Sequence, residues 1–157
     1  KAEAASLAGR AAFARADGQR LPFADASFDA VTSAFVLRNF ADLGAAFAEM
    51  ARVARPGGRV VALEISPVGG TPWAAAFNAY FRHVVPRLGA LLAGDAGAYR
   101  YLPASAAAFL SPEGVAEAMR GAGLDPLPAR RLMGGTLAIH RGVRLGPAGD
   151  DPPREAA

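Results

Sequence analysis

The chain has 157 residues, about half of them apolar, and a formal net charge of +3, which suits one domain with its own core. It has no cysteine, so disulfide frameworks, thiolate metal sites and a cysteine nucleophile are excluded, and only two histidines, His83 and His140, which argues against a histidine-built metal site. The arginines are scattered, not blocked, so there is no nucleic-acid footprint, and no apolar run reaches the roughly 18 residues that a membrane span needs.

Residues 1 to 9, KAEAASLAG, read as the last turns of a helix ending at Gly9, where glycine takes the left-handed cap. Ala11 to Ala16 is a strand candidate with Phe13 as its one large apolar residue, and Asp17-Gly18 closes it. Leu21-Pro22-Phe23 fixes a loop. Phe28 to Phe35 is a better strand, with Val31, Ala34 and Phe35 apolar and β-branched residues in the run. Leu37-Arg38-Asn39 lies just past its carboxyl end, where open α/β sheets bind their ligands.

Asp42 can cap the next helix. Leu43, Ala46, Phe47, Met50, Val53 and Ala54 follow at helical spacing. Arg52 and Arg55 fall in its last turn, where positive charge suits the helix dipole. Pro56-Gly57-Gly58 ends the helix, and Arg59 to Ile65 is a nearly continuous apolar run, the pattern of a strand covered on both faces. Strand, helix, glycine turn and strand make a βαβ unit.

Thr71-Pro72 starts a helix whose Trp73, Phe77, Tyr80, Phe81 and Val84 form an aromatic stripe, and Pro86 breaks or kinks it. Leu88 to Leu92 is a further helical turn, and Gly94 to Phe109 a loop leading into a short helix. Ser111-Pro112 starts a helix with Val115, Ala118, Met119 and Ala122 on its buried face, ended by Gly121 and Gly123. Leu124 to Leu132 contains two prolines and belongs at or near a sheet edge. Thr136 to Arg141 is the last strand, and the Gly-, Pro- and Asp-rich residues 143 to 157 read as a disordered tail.

Taken in order, these segments resemble class I S-adenosylmethionine-dependent methyltransferases of the UbiE type, the C-methyltransferases of menaquinone and ubiquinone biosynthesis. The resemblance rests on Asp17-Gly18 with Leu21-Pro22-Phe23, Ser27-Phe28-Asp29, Leu37-Arg38-Asn39, and Arg52-Val53 with Pro56-Gly57-Gly58-Arg59. It continues through Leu63-Glu64-Ile65-Ser66, Tyr80, His83, Pro86-Arg87, Gly89, Tyr99-Arg100-Tyr101-Leu102, Ser105, Gly123 and His140-Arg141-Gly142. The implied fold class is α/β, a Rossmann-like three-layer sandwich in which residues 1–142 form the C-terminal part of the domain. The family's first two strands and its Gly-rich cofactor turn are absent from these residues and are expected to precede Lys1. In the family's strand order, 3-2-1-4-5-7-6, strands 4, 5, 7 and 6 remain contiguous. The strand at Ala11–Ala16 would then be separated from the sheet by a gap of roughly 14 Å, at about 4.8 Å per strand.

The resemblance also implies roles. Asp17 and the Gly18 N–H hold the adenine of S-adenosylmethionine, although the pair read by itself is an ordinary Asp-Gly turn. Ala34 lies near the cofactor, with Ser33 on the opposite face of the strand. The acceptor is a polyprenyl quinol, most directly demethylmenaquinol, methylated on a ring carbon. Arg38 would stabilise the quinol phenolate and Asn39 would orient a ring oxygen or a water; the bland reading of this pair is a helix entry on a solvated loop. His83, one turn from Tyr80, is a candidate base or a packed structural histidine. Tyr80 and Tyr99 would line the acceptor pocket, and the aromatic stripe is part core, part substrate wall. His140 is structural. Glu64 either points into the crevice or caps the loop after it. Arg82 and Arg87 are compatible with peripheral contact at a membrane surface; a cytoplasmic enzyme and a homodimer fit the same picture. Another small-molecule methyltransferase, or a non-catalytic remnant without its cofactor half, stays open.

Overall fold

The chain runs through a βαβ unit built from β1 (Phe28–Ala34), α1 (Leu43–Val53) and β2 (Ala54–Ile65), with β1 and β2 paired in parallel. Then come α2 (Pro112–Gly121), β3 (Leu124–Leu132) and β4 (Leu137–Arg144). β4 lies antiparallel between β2 and β3, so the sheet has the order β1-β2-β4-β3, the contiguous half expected from the sequence. This computed structural model describes residues 11–67, 72, 75–77, 79–80, 83–85, 87 and 109–146. β3 is the edge strand that its prolines predict, and its register shifts between Leu127 and Arg130, across Pro128.

Strand alternation decides which side chains meet the helices. Val60, Ala62 and Glu64 of β2 and Ala138, His140 and Gly142 of β4 are buried, while Val61, Leu63, Ile65, Leu137 and Ile139 between them are half-buried. Thus β2 is not equally covered on both faces, as its apolar run predicts; its odd-numbered side chains lie on the more open face. α1 covers the buried face with Ala46, Phe47, Met50 and Val53, and α2 covers it with Val115 and Met119. Gly142 permits this packing: a Cβ there would lie 2.7 Å from the Met119 Cε.

Both helices start where the sequence places their caps. The Asp42 carboxylate accepts from the Ala45 N–H at 2.9 Å, and the Ser111 hydroxyl accepts from the Gly114 N–H at 3.2 Å. The C-terminal carbonyls of α1 are satisfied from outside the helix. The Ala26 N–H donates to the Arg52 carbonyl at 2.9 Å and the Ser27 N–H to that of Val53 at 2.8 Å. The Arg144 guanidinium also donates to the carbonyls of Arg52 and Ala54. The Ser27-Phe28-Asp29 motif therefore begins as a clamp on the end of α1.

The Leu21-Pro22-Phe23 loop is held by two side chains of α1, Arg52 and Glu49. Arg52 donates to the carbonyls of Leu21 and Phe23 at 3.1 and 2.9 Å, and to the carboxylates of Asp25 and Glu49 at 2.6 and 2.7 Å. Glu49 in turn accepts from the Leu21 N–H at 2.8 Å. Arg52→Ala is expected to release residues 21–25 while α1 stays folded, read as faster amide exchange in that loop alone. Unchanged exchange there would contradict this.

The same network predicts acid sensitivity. The hydrogen bond from Arg52, then that from the Leu21 N–H, holds the Glu49 carboxyl down at about 2, against 4.5 in the free side chain. Because the folded value is depressed, its stabilisation is full above pH 4.5 and is lost as pH falls towards 2. His140 adds an earlier step of the same sign. Burial holds its imidazole below the ordinary 6.5, although Glu64 and Glu113 pull the other way, so the unfolded chain takes a proton that the fold refuses. Stability should therefore begin to fall below about pH 6.5, with Glu49→Gln flattening only the lower part of the curve in denaturation series.

Several sequence expectations are corrected. Ala11–Ala16 is not a strand: it pairs with nothing among the described residues, and Phe13 is fully exposed. With Phe13 as its one large apolar residue, the segment has little to pack against a sheet. β2 begins at Ala54, so Pro56-Gly57-Gly58 lies inside the strand and not in a turn before it. The three residues are absorbed by a register shift, from Phe28↔Ala54 to Ala30↔Arg59, with Gly57 at φ 75°. Arg55 consequently leaves the helix and pairs with Asp29. β4 continues to Arg144, three residues beyond the expected end at Arg141, because Gly142, Val143 and Arg144 pair with Pro126, Asp125 and Leu124. The helix at residues 1–9, the turn at 88–92, the loop from 94 and the tail from 147 lie outside the described residues.

Ala26 sits at φ 54°, a left-handed conformation unfavourable for a residue with a Cβ. Ala26→Gly is expected to raise stability by about 0.5–1 kcal/mol in thermal unfolding.

Candidate active site

The carboxyl end of β1 is shaped by one unusual residue. Phe35 has φ 58°, which a bulky side chain rarely adopts, and its N–H still donates to the Leu63 carbonyl at 2.9 Å. The chain then turns sharply into the 3-10 turn Leu37–Asn39. Leu37 is buried and anchors that turn in the core. Arg38, next to it, is thereby directed back over the end of β2.

Arg38 is not on a solvated loop. Its side chain is 11% exposed, and its Nη1 donates to Glu64 Oε1 at 2.5 Å and to the Phe35 carbonyl at 2.9 Å. Glu64 is fully buried, and its Oε2 also accepts, at 3.4 Å, from the backbone N–H of Arg38. A third donor, the Ile65 N–H, reaches Oε1 at 2.9 Å. The Arg38 Nε is buried without a partner, as are the hydroxyls of Ser33 and Ser66. Beside the turn lies an open cleft of about 250 Å³, lined by Leu37, Arg38, Phe40, Leu43, Phe109 and Leu110 among others. Most of its lining side chains are apolar, its exposed surface is as polar as it is apolar, and Arg38 is the charged side chain among its lining residues.

The Asp17-Gly18 turn reaches the same place. A Cβ on Gly18 would lie 2.6 Å from the ring of Phe40, two residues beyond Arg38, so only a bare glycine backbone fits against that ring as it stands. Asp17 Oδ1 accepts from the Gln19 N–H at 2.9 Å, and the Asp17 carbonyl accepts from the Arg20 N–H at 2.9 Å, the bonds of a self-contained turn. The structure thus brings Asp17, Gly18, Arg38 and Asn39 to one end of the sheet. Asn39 is exposed.

Ala34 is exposed and stands opposite Leu63, on the face away from the helices, whereas Ser33 stands opposite Ala62 on the covered face. Tyr80 and His83 are both exposed on a stretch of helical backbone, which removes the reading of His83 as a histidine packed beneath its helix. Neither lines the Arg38 cleft. Arg87 donates to the His83 carbonyl at 2.6 Å. Tyr99 and Arg82 lie outside the described residues. His140 is buried in β4 opposite Ala62, a structural position.

Glu64 is the residue whose role the sequence left open, and its partner was missed. The signal was present: a lone carboxylate at a position that alternates with Val60 and Ala62 must be buried, and a buried carboxylate needs a counter-charge. Among the described residues, no group of three or more His, Cys, Asp or Glu side chains is placed to hold a metal ion. No described helix is long and apolar enough to cross a membrane.

Comparison with known proteins agrees with this frame. The model of the ubiE/COQ5 methyltransferase family matches residues 1–144. The chain is 55% identical over 111 residues to a demethylmenaquinone methyltransferase of Deinococcus radiodurans, covering 71% of this chain and 46% of that protein. It is 46% identical over 144 residues to one of Thermus thermophilus, covering 92% and 64%. With the ubiquinone/menaquinone biosynthesis C-methyltransferase UbiE of Erwinia tasmaniensis it shares 38% identity over 139 residues, covering 88% and 55%. The chain therefore spans between 46% and 64% of the length of these relatives. Among solved structures, a SAM dependent methyltransferase from Aquifex aeolicus superposes with a TM-score of 0.59 at 14% identity, covering 91% of this chain and 61% of that one. An O-methyltransferase family protein from Burkholderia thailandensis gives 0.59 at 18%, covering 91% and 38%. Those two likenesses carry the α/β methyltransferase fold alone. With its family model matched along residues 1–144, this chain belongs to the ubiE/COQ5 methyltransferase family.

Proposed function

We propose that the gene product transfers a methyl group from S-adenosylmethionine to a ring carbon of a polyprenyl quinol, with demethylmenaquinol as the acceptor. The observation that carries this reading is the Arg38 guanidinium, fixed at the carboxyl end of β1 beside a cleft lined mainly by apolar side chains. The names of the Deinococcus and Thermus relatives support the choice of acceptor. An aromatic carbon becomes nucleophilic when a hydroxyl on its ring ionises. A guanidinium next to that oxygen stabilises the phenolate and favours its formation. Arg38 acts here as a hydrogen-bond donor, since a guanidinium carries donors and no acceptor. The hydroxyl proton and the ring proton displaced by the methyl group leave through a water or through His83, whose exposure gives it access to solvent. Asn39 orients the ring oxygen.

The residues present fit one end of the cofactor. Asp17 keeps Oδ2 for the adenine amine, and the Gly18 N–H would donate to a ring nitrogen. When bound, the cofactor supplies an electrophilic methyl group. The 157 residues contain no Gly-rich turn for its methionine end.

The test is to supply the full-length gene product with methyl-labelled S-adenosylmethionine and with demethylmenaquinol, its benzoquinol counterpart and unrelated phenols. Label on the naphthoquinol ring carbon is expected. Label only on another acceptor overturns the proposal.

A further inference from the structure

We propose that Glu64 is the positioning residue for Arg38 in methyl transfer, an inference that rests on the reading of Arg38 given above. Three observations carry it. First, Glu64 grips Arg38 at two points: Oε1 takes the guanidinium Nη1 and Oε2 the backbone N–H. One carboxylate thus sets both the 3-10 turn and the side-chain direction. Second, the carboxylate is itself held, since it is fully buried in β2 and accepts from the Ile65 N–H. Third, the same Arg38 Nη1 also donates to the carbonyl of Phe35, the residue in the unfavourable left-handed conformation.

A buried ion pair is a poor way to stabilise a core, because desolvating two charges offsets most of their attraction. An apolar pair would fill this space at least as well for folding alone. What the pair supplies is direction: the guanidinium cannot swing, and its Nε is left with no protein acceptor. It also arrives at the cleft already charge-balanced, so Arg38 does not carry an isolated cation into a partly apolar site. Placement matters here because a shift of about 1 Å in a positioning group can cost roughly 100-fold in rate.

The experiment uses the full-length gene product. Glu64→Gln keeps an acceptor oxygen and loses the charge; Glu64→Asp keeps the charge and withdraws it by one methylene. Both are expected to lower kcat about 10- to 100-fold while KM for the quinol changes less than about threefold. In an Arg38→Lys background, Glu64→Gln should add less than about a twofold further loss, because its effect passes through the guanidinium. Melting curves identify any variant that fails to fold, and Glu64→Asp keeps the test alive if Glu64→Gln does. Folded Glu64 variants with kcat within about twofold of wild type, alongside an inactive Arg38→Ala, overturn the positioning role and leave Arg38 standing. Full activity in Arg38→Ala overturns the underlying reading instead. A Glu64→Gln loss that multiplies fully on top of Arg38→Lys shows that Glu64 acts independently and also overturns the proposal.

Discussion

Replacing Arg38 with alanine is expected to cost about 3 kcal/mol of stability, near the lower end for a broken buried pair, because it strands the Glu64 carboxylate in the core. The estimate sits low in the range because the Arg38 side chain keeps 11% exposure, which lets water reach one edge of the site. Glu64→Ala should cost a similar amount, through an uncompensated guanidinium and a cavity in β2. Arg38→Met combined with Glu64→Leu removes both charges and should recover stability to within about 1 kcal/mol of wild type. Denaturant unfolding of the three variants measures the cycle. Losses below about 1 kcal/mol in both single variants would mean that the pair does not form in solution.

The second large effect concerns the cofactor. The 157-residue chain by itself is expected to show no saturable S-adenosylmethionine binding below about 1 mM, roughly 4 kcal/mol of binding free energy. On the proposed reading the Asp17-Gly18 turn meets only the adenine, and a single exposed carboxylate with part of its capacity used in its own turn is too little to hold the whole molecule. Joining to Lys1 the residues that precede the matched region in the Thermus thermophilus relative should restore binding to the micromolar range, about 8 kcal/mol. Calorimetry on the two proteins decides it, and micromolar binding by the unextended chain would contradict the account.

Much of the fold was legible because its signals are local. Asp42 and Ser111 announce their helices through side-chain caps, Leu43 to Val53 through an apolar stripe, and β3 its edge position through two prolines. The errors arise where tertiary pairing overrides the local reading. Pro56-Gly57-Gly58 has turn chemistry, yet parallel pairing with β1 draws it into β2 with a register shift. Ala11–Ala16 has a weak strand pattern, and weak patterns need a neighbouring strand to be realised. Val143 and Arg144 were assigned to the tail on composition, but β3 supplies them with partners.

The candidate site divides in the same way. The Leu37-Arg38-Asn39 turn was found from its place at a strand end, and the structure adds why Arg38 is fixed there. Its partner Glu64 is 26 residues away in sequence, a distance over which no spacing rule operates. The contact between Gly18 and Phe40 was equally invisible, since it depends on how two loops meet. His83 shows the converse: its neighbourhood in sequence suggested either a base or a packed residue, and exposure removes the second.

The most direct test of this account is the rate of ring methylation by the full-length gene product carrying both Arg38→Met and Glu64→Leu. This variant should fold as stably as the wild type, so any loss of rate reports chemistry rather than unfolding. The account predicts kcat on demethylmenaquinol at least about 100-fold below wild type, the scale of losing one preorganised donor at a developing anion. A rate within about threefold of wild type would show that the guanidinium serves the fold alone, and would contradict the account.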